Sequence, residues 1–472
     1  MFRRASLASL LIATFLSGAF ATATGQPVPV VHPLTFDDPV ILPGSGDTSS
    51  VPADGICTLG CAEPMITTGP DGSLYVSAPR SLLICCNART SPIWRSADGG
   101  ETWGEPFAPT SPGGAWNALT GGDTSLVVDK RGTIYVGELW AGNDSFFFSR
   151  DGGQTWTSTP AHHPDAFTDR EWLVYSEHED AIYGVYNGPI GLTVVKAELA
   201  GGQDPPLVWT DWDPDAINHV GSVPQPSVDQ GDGTVYVPHL RADPLGEAVG
   251  LAVSTDGGDS WAHRPIPGTG STDAANIFLV SAVDRAGTVY VAWSAEEPDG
   301  HTLYYASSTD KGVTWNPPVA VSEGVSRTAV FPAITAGAGG RAAVAWYGTD
   351  DAVGDPDGYP ASTRWHVATA TVVNADTAEP VLDVAVVQDD HHRGSMWMGD
   401  DAVVAGDRTL LDFFDLELDP ATGRIVVVYS RDLEDRVEIV SAVQTEGCNL
   451  AERGAYIGPG VEAPEGTPPT VC

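Results

Sequence analysis

Three consecutive charged residues in the segment TDREWLVY (168–175) are the first candidates for chemistry. If this segment is a strand, alternation places Asp169 and Glu171 on one face and Arg170 on the other. Two carboxyl groups close together can act as the acid and the base that cleave a glycosidic bond, and a guanidinium binds a carboxylate with two parallel hydrogen bonds. A salt-bridged strand start is the alternative interpretation, because surface ion pairs are common and mostly inert.

An eight-residue motif occurs four times along the chain. It reads Ser-x-Asp-x-Gly-x-Thr/Ser-Trp, and its tryptophans are separated by 53, 105 and 54 residues. The middle spacing is about two periods, so a fifth unit without the motif is expected between the second and third copies. The copies are SADGGETW (96–103), SRDGGQTW (149–156), STDGGDSW (254–261) and STDKGVTW (308–315).

A second repeated feature is a tight turn followed by a strand-like run of apolar residues. Short runs of Val, Ile, Tyr, Phe and Trp between Gly, Asp and Pro predict short strands. Repetition at a period of about 50 residues predicts an all-β fold, a β-propeller with seven four-stranded blades. The seven copies are DGSLYVSA (71–78), RGTIYVGE (131–138), EDAIYGVY (179–186), DGTVYVPH (232–239), AGTVYVAW (286–293), GGRAAVAWY (339–347) and TGRIVVVYS (422–430).

The eight-residue motif is predicted to be a turn between the third and fourth strands of a blade. Glycine allows the left-handed backbone of such a turn, and the aspartate side chain accepts hydrogen bonds from nearby backbone N–H groups. Repeated residues do a repeated structural job, so the motif aspartates are expected to be structural rather than catalytic. They are Asp98, Asp151, Asp256 and Asp310.

The four copies resemble the Asp-box, or bacterial neuraminidase repeat, family, which includes sialidases. The resemblance implies a six-bladed propeller as the alternative to seven blades. It also implies three arginines that hold the substrate carboxylate and a tyrosine nucleophile, an exception to the two-carboxylate scheme. The Phe-Arg-Ile-Pro motif that carries the first of those arginines is absent, and no arginine lies between residue 5 and Arg80. Tyr429 takes the place of Trp293 and Trp346 in the repeats and is interpreted as a packing residue.

Ligands of propellers bind in the central funnel, where first strands begin and second strands end. In this sequence those positions bring arginines and acids together on one face, where Asp169 and Glu171 are the predicted catalytic pair. The predicted substrate-binding residues are Arg80, Glu138, Arg170 and Arg241. The other polar residues at these positions are Glu63, Asp123, Asn187, Gln225, Asn276, Glu296, Arg327, Asp350, Asp412 and Arg431.

Two acidic segments are candidates for metal sites. QDDHHRGSMWMGDD (388–401) and DDAVGDPD (350–357) offer the hard oxygen ligands that calcium prefers. Neither has the spacing of a known ligand loop such as an EF-hand. They are interpreted as solvated loops, and neither a metal nor another cofactor is predicted.

The start of the chain indicates export, and the chain divides into four regions. Residues 1–23 combine Arg3 and Arg4 with a short apolar run and a small-residue cleavage site, as a signal peptide does. A segment at 24–62 follows, whose stretch TFDDPVIL (35–42) is expected to be a strand that closes the ring by pairing with the last blade. The propeller spans 63–447, and a tail spans 448–472.

The cysteines fit an exported protein with disulfides. Cys448 and Cys472 are expected to pair and to hold the Pro- and Gly-rich tail. Cys85 and Cys86 are expected to pair with Cys57 or Cys61, in an order that remains open.

The composition limits the classes of partner that the protein is expected to bind. The formal net charge of −39 disfavours nucleic acid and anionic membranes, and no later stretch resembles a membrane span. The sequence therefore predicts a secreted or periplasmic monomer that recognises extracellular glycans through its funnel. Hydrolysis there would be that of a sialidase-like exo-glycosidase. The alternative function is a non-catalytic propeller that binds a protein or a cell surface.

Overall fold

The computed structural model describes most of the chain, and every structural statement below concerns that part. It covers residues 30–46, 61–79, 90–110, 122–140, 143–159, 169–188, 191–199, 209–211, 224–240, 248–270, 278–352, 355–397, 407, 409–410, 412–433, 436–462 and 470–472. Within these ranges the secondary structure consists of β-strands and a single 3-10 turn, Pro356–Gly358. The all-β fold predicted from the sequence is confirmed.

Three short strands precede the repeats. They are β1 (Val30–Val31), β2 (Thr35–Phe36) and β3 (Val40–Ile41). The repeats then form seven groups of strands that follow one another along the chain, here called units 1 to 7, and two short strands end the chain.

Units 1 to 4 each contain consecutive antiparallel strands. Unit 1 is β4 (Met65–Thr68), β5 (Leu74–Ser77) and β6 (Ile93–Ser96). Unit 2 is β7 (Thr124–Val128), β8 (Ile134–Trp140), β9 (Asn143–Ser149) and β10 (Thr157–Thr159). Unit 3 is β11 (Asp169–Ser176), β12 (Ala181–Gly188), β13 (Gly191–Glu198) and β14 (Trp209–Asp211). Unit 4 is β15 (Ser227–Val228), β16 (Val235–Leu240), β17 (Val249–Ser254) and β18 (Ala262–Pro265).

Units 5 to 7 continue the pattern. Unit 5 is β19 (Val280–Val283), β20 (Val289–Glu297), β21 (Gly300–Ser308) and β22 (Val319–Ala320). Unit 6 is β23 (Thr328–Ala336), β24 (Arg341–Thr349), β25 (Arg364–Val373) and β26 (Val381–Arg393). Unit 7 is β27 (Asp415–Leu418), β28 (Ile425–Leu433) and β29 (Arg436–Cys448). The last strands are β30 (Tyr456–Ile457) and β31 (Val461–Glu462).

The first strand of each unit contacts the first strands of two neighbouring units. β4 contacts β7, β7 contacts β11, and the same relation runs through β15, β19 and β23 to β27, which contacts β4. Buried apolar residues fill the spaces between successive units. Such a cluster lies between each pair of neighbouring units, including units 7 and 1. Most of the apolar core therefore lies between units.

The eight-residue motif forms the turn that follows the third strand of units 1, 2, 4 and 5. In unit 1, Asp98 Oδ1 accepts hydrogen bonds from the Thr102 backbone N–H at 2.9 Å and from Ser96 Oγ at 2.7 Å. The indole N–H of Trp103 donates to Ser441 Oγ, 2.8 Å away in unit 7. Both the turn and its attachment to the neighbouring unit thus depend on the motif side chains.

The N-terminal strands pair with the last unit. β2 and β3 run antiparallel to β29, with Thr35 opposite Glu446 and Val40 opposite Ser441. β1 pairs with β31. The pairing of β2 and β3 with β29 covers the outer edge of β29.

The predicted Cys448–Cys472 disulfide is present, with a Cα–Cα distance of 5.4 Å. Cys61 is buried among apolar residues of units 1 and 7, whereas Cys57, Cys85 and Cys86 lie outside the described residues. Nowhere in the described ranges does a helix reach the length and apolarity needed to cross a membrane.

Candidate functional site

The starts of the first strands meet around the side chain of Arg170. Its guanidinium carbon lies 3.9 Å from the ring centroid of Trp172 and 3.8 Å from that of Phe413. Nη1 donates to the Thr124 carbonyl at 3.1 Å, and Nη2 lies 3.2 Å from Met65 Sδ. Cation–π contacts of this kind gain strength when water is excluded. Arg170 is only 3% exposed, so protein groups rather than water surround its charge.

An aromatic cluster surrounds this arginine. Trp172, Phe278 and Phe413 pack against one another, with ring centroids 5.0 to 6.2 Å apart, and Met65 belongs to the same buried group. These residues lie at or just before the first strands of units 1, 3, 5 and 7. We call Met65, Trp172, Phe278 and Phe413 the central cluster.

Two charged residues of the site have a left-handed backbone. Arg170 has φ 47° and Glu63 has φ 49°, and each stands two residues before a member of the central cluster. A left-handed conformation is uncommon for residues other than glycine, and such strain concentrates at functional sites. In unit 3 it accompanies a register shift between Asp169 and Trp172.

At this site, the buried acidic side chains of Glu138, Glu63 and Asp415 accept hydrogen bonds from backbone N–H groups of a neighbouring unit or of the segment leading into it. Glu138 Oε1 lies 2.6 Å from the Ser91 nitrogen, and Glu63 Oε1 lies 2.9 Å from the Asp412 nitrogen. Asp415 Oδ2 accepts from Ile66 at 3.2 Å. Burial raises the pKa of the Asp415 carboxyl to about 8, although the charge of Arg170 acts in the opposite direction.

Glu171, one of the two predicted catalytic residues, is 1% exposed. It lies against β8 at Gly137, where an added Cβ would stand 3.0 Å from Glu171 Cγ. The missing side chain of Gly137 therefore leaves the space that Glu171 occupies. This places a carboxyl group between units 2 and 3.

The structure brings Glu138, Arg170 and Glu171 to one end of units 2 and 3, but it buries all three. The guanidinium of Arg170, a predicted substrate-binding group, is not exposed in an open funnel, because Trp172 and Phe413 enclose it. A register shift between Asp169 and Trp172 interrupts the strand pairing, so regular alternation does not apply across 169–171. Asp169 pairs with Asn187 through the backbone; its side chain lies outside the described residues, as do Arg80 and Arg241.

Other predicted positions contact protein groups. Arg431 donates to Glu438 at 3.0 Å. Tyr429 is fully buried and donates to Gln388 Oε1 at 2.6 Å, which agrees with a packing role. Burial raises the pKa of the Tyr429 hydroxyl, so the nucleophilic phenolate is disfavoured there.

A separate cleft of about 440 Å³ opens at the ends of β24 and β26. Its charged walls include Asp350, one of the predicted funnel positions. His366 is also in the wall; burial lowers its pKa, and its Nε2 lies 2.8 Å from Ser326 Oγ. The cleft is lined by Thr349, Asp350, Asp351, Ser362, Arg364, Trp365, His366, Asp389 and Asp390.

The histidines of the acidic segment 388–401 already have polar partners in the protein. His391 and His392 are buried and their ring nitrogens contact Ser430, Asp432 and Ser395. Among the described residues, no three His, Cys, Asp or Glu side chains come together in a metal-binding arrangement.

Sequence reasoning missed the aromatic members of the site. It selected charged residues at strand ends, whereas Trp172 and Phe413 surround the arginine. One signal was available, since Trp172 follows the charged triplet directly and large aromatic faces attract guanidinium groups. Phe278 and Phe413 stand just before first strands, where a search for aromatic residues would have found them.

The chain matches no family model and no curated protein. Solved structures resemble it at low identity. A protein of unknown function from Dyadobacter fermentans is 13% identical, with 87% of this chain and 98% of that chain covered and a TM-score of 0.47. The α-L-arabinofuranosidase of Fusarium graminearum is 12% identical, with coverages of 88% and 98% and a TM-score of 0.44. The phage phi92 endosialidase is 12% identical, with coverages of 92% and 72% and a TM-score of 0.46.

Proposed function

We propose that the chain is a secreted seven-bladed β-propeller that recognises extracellular glycans at its central funnel. The cyclic contacts among the seven first strands support the blade number, as do the seven apolar clusters between units. The pairing of β2 and β3 with β29 supports ring closure by the segment 24–62. The signal-like residues 1–23 and the Cys448–Cys472 disulfide support export.

One observation carries the functional part of the proposal: the strained, buried charges at the centre. Glu63 and Arg170 each combine a left-handed backbone with nearly complete burial. Backbone strain of this kind costs about 1–3 kcal/mol per residue and persists where the surroundings impose it, typically at ligand sites. Burial of charge adds a further cost. A fold that needed only packing would place apolar residues there.

The chemistry of these groups suits a sugar. Binding pockets combine apolar and aromatic walls with a few well-placed polar groups, and the site offers Trp172 and Phe413 beside Arg170 and several carboxylates. Within the proposal, Arg170 and Glu138 bind the glycan together with Arg80 and Arg241. Glu171 and Asp169 supply the acid and base groups for hydrolysis. The ligand displaces part of the contacts that enclose Arg170.

The test is a glycan array together with a panel of fluorogenic glycosides, both acidic and neutral. Binding of a defined glycan is expected, and Arg170→Ala should weaken the binding of an acidic glycan by about 1.5–3 kcal/mol, the range for a charged hydrogen bond. If a glycoside is cleaved, Glu171→Gln should abolish cleavage while the fold is retained. Asp256→Ala, in an exposed motif turn, is the matched control and should leave both unchanged. No binding and no cleavage across both panels would contradict the proposal.

The enclosure of Arg170 favours a second candidate function, a non-catalytic module that binds a protein or cell surface. The guanidinium already contacts Trp172, Phe413 and the Thr124 carbonyl, as a purely structural arginine would. In that case Arg170→Ala should lower the free energy of unfolding without changing any glycan affinity. The same set of variants therefore separates the two functions.

A further inference from the structure

Two adjacent histidines at the end of β26 lie between units 6 and 7. His391 and His392 are 0% and 2% exposed. His391 Nδ1 lies 3.0 Å from the Ser430 carbonyl oxygen. His392 Nδ1 lies 3.2 Å from Asp432 Oδ2, and its Nε2 lies 3.0 Å from the Ser395 carbonyl oxygen. The two imidazoles thus have different sets of partners.

Both ring nitrogens of His392 face hydrogen-bond acceptors. A neutral imidazole carries one N–H and can satisfy one acceptor, whereas an imidazolium carries two. A backbone carbonyl and an ionised carboxylate can only accept. The doubly protonated form of His392 is therefore the form that satisfies both Asp432 and Ser395. Burial disfavours this charge, but the bonds to Asp432 and Ser395 together with the charges of Asp407 and Asp432 outweigh burial and raise the pKa of His392.

His391 provides an internal contrast. Among the described residues its hydrogen-bond partner is the Ser430 carbonyl, and its ring centroid lies 4.4 Å from that of Tyr347. A single N–H on Nδ1 suffices there, and burial lowers the pKa of His391 to about 3. The surroundings thus shift the pKa values of these two neighbours in sequence in opposite directions.

The charged groups that act on His392 come from several elements. Asp432 belongs to β28, and Asp407 lies before unit 7; both raise the pKa of His392. On its own strand, His391 is neutral, and Asp390 is paired with Arg364 and Arg393. The nearest carboxylate able to respond to the charge of His392 is therefore that of Asp432.

The residues that His392 joins belong to different units. The turn that contains Ser395 is attached to unit 6, because Gly394 N–H donates to the Thr363 carbonyl and the Trp365 indole donates to the Gly394 carbonyl. Asp432 lies at the end of β28 in unit 7. The bond between His392 and Asp432 therefore links units 6 and 7 at the end of β28.

We propose that His392 and Asp432 form a pH-sensitive latch between units 6 and 7. The charged pair holds the end of β26 and the following turn against β28, and loss of the His392 proton weakens this attachment. A histidine whose folded pKa is raised gives stability that is complete below its ordinary pKa and is lost as the pH rises through the folded pKa. The latch is therefore closed below the ordinary histidine pKa and loosens as the pH rises through the raised pKa of His392. It does not depend on the proposed glycan function.

The test is an imidazole NMR titration of the full chain, with the His392 signal assigned by its loss in His392→Gln. The His392 pKa is expected above its ordinary value of about 6.5, and Asp432→Asn should bring it down. The backbone amides of Gly394 and Met396 should lose hydrogen-exchange protection as the pH passes the His392 pKa, by about tenfold for each unit by which that pKa is raised. Asp389→Asn removes an exposed carboxylate on the same strand and should leave both measurements unchanged.

Each outcome decides the proposal. A His392 pKa at or below about 6.5 in the unmodified chain overturns it, and this measurement does not require a variant to fold. A pKa that Asp432→Asn leaves unchanged overturns it as well. A raised pKa without any change in the protection of the Gly394 and Met396 amides shows a buried ion pair that does not act as a latch, and also overturns it.

Discussion

The guanidinium of Arg170 in unit 3 stacks on the ring of Phe413, which precedes unit 7, with 3.8 Å between the guanidinium carbon and the ring centroid. The Phe413 ring faces a positive charge that is buried away from water. Such contacts are worth about 2 kcal/mol or more when desolvated. This pair therefore joins two units that are not neighbours along the ring of first strands, across the middle of the molecule.

Phe413→Ala should lower the free energy of unfolding strongly. The substitution removes a buried ring, which costs about 3–5 kcal/mol in protein cores, and it leaves one face of the Arg170 guanidinium without its aromatic partner. Phe413→Leu keeps most of the volume and should cost less. Chemical denaturation of both variants checks this. Equal stability of Phe413→Ala and the unmodified chain would show that the central cluster does not hold the units together.

Asp98→Ala tests the structural role of the motif turns. It removes the acceptor for the Thr102 N–H and for the Ser96 and Thr102 hydroxyls. The expected loss in the free energy of unfolding is about 0.5–1.5 kcal/mol for each net hydrogen bond that water does not replace. Glycan binding should be unaffected, because the turn follows the third strand, away from the strand starts. A loss of binding without a loss of stability would contradict the structural assignment.

The Asp415 carboxyl should make stability fall as the pH rises. An unfolded aspartate titrates near pH 3.9, whereas burial raises the folded pKa to about 8. The group's contribution is therefore complete below the unfolded pKa and is lost as the pH rises toward the folded one, by at most about 1.4 kcal/mol per pH unit. Urea unfolding at several pH values should show that, between pH 5 and 8, the free energy of unfolding of Asp415→Asn rises relative to that of the unmodified chain by roughly 1–3 kcal/mol.

This comparison isolates one group. Other titrating side chains, His392 among them, are present in both proteins, so their effects cancel in the difference. Asp415→Asn also weakens one of the two backbone hydrogen bonds that the carboxyl accepts, which shifts its curve by a constant amount. Parallel curves for the two proteins would mean that Asp415 titrates normally in the folded chain.

The repeated features were readable from sequence because they depend on local rules. The run GTIYVGEL, bounded by turn residues, forms the strand Ile134–Trp140, and the alternation that marks a strand operates over a few residues. The Cys448–Cys472 bond was also predictable, since both cysteines flank a short tail. In these cases the residues that determine the structure lie close together in the sequence.

The geometry at Arg170 was not predictable in this way. Its left-handed backbone and the register shift beside it arise where Met65 and Phe413, from units 1 and 7, close around the guanidinium. Alternation assumes a regular strand, and the register shift between Asp169 and Trp172 breaks that assumption. The contact with Phe413 joins distant parts of the chain, and no local pattern encodes it.

Gly137→Ala tests whether the position of Glu171 matters for function. The added Cβ would stand 3.0 Å from Glu171 Cγ and 3.1 Å from the Phe146 ring, closer than ordinary van der Waals contact. Phe146 is buried between units 2 and 3 and has little room to move, so the glutamate side chain should be displaced. Overpacking of this kind costs about 1–3 kcal/mol of stability. If Glu171 acts on a glycan, affinity or cleavage should fall together with the displacement.

Gly132→Ala is the matched control for stability, because a Cβ there meets no atom within 4 Å although φ is 82°. It should lower stability through backbone strain and leave glycan binding intact. Unchanged binding or cleavage in a folded Gly137→Ala protein would remove Glu171 from the proposed site.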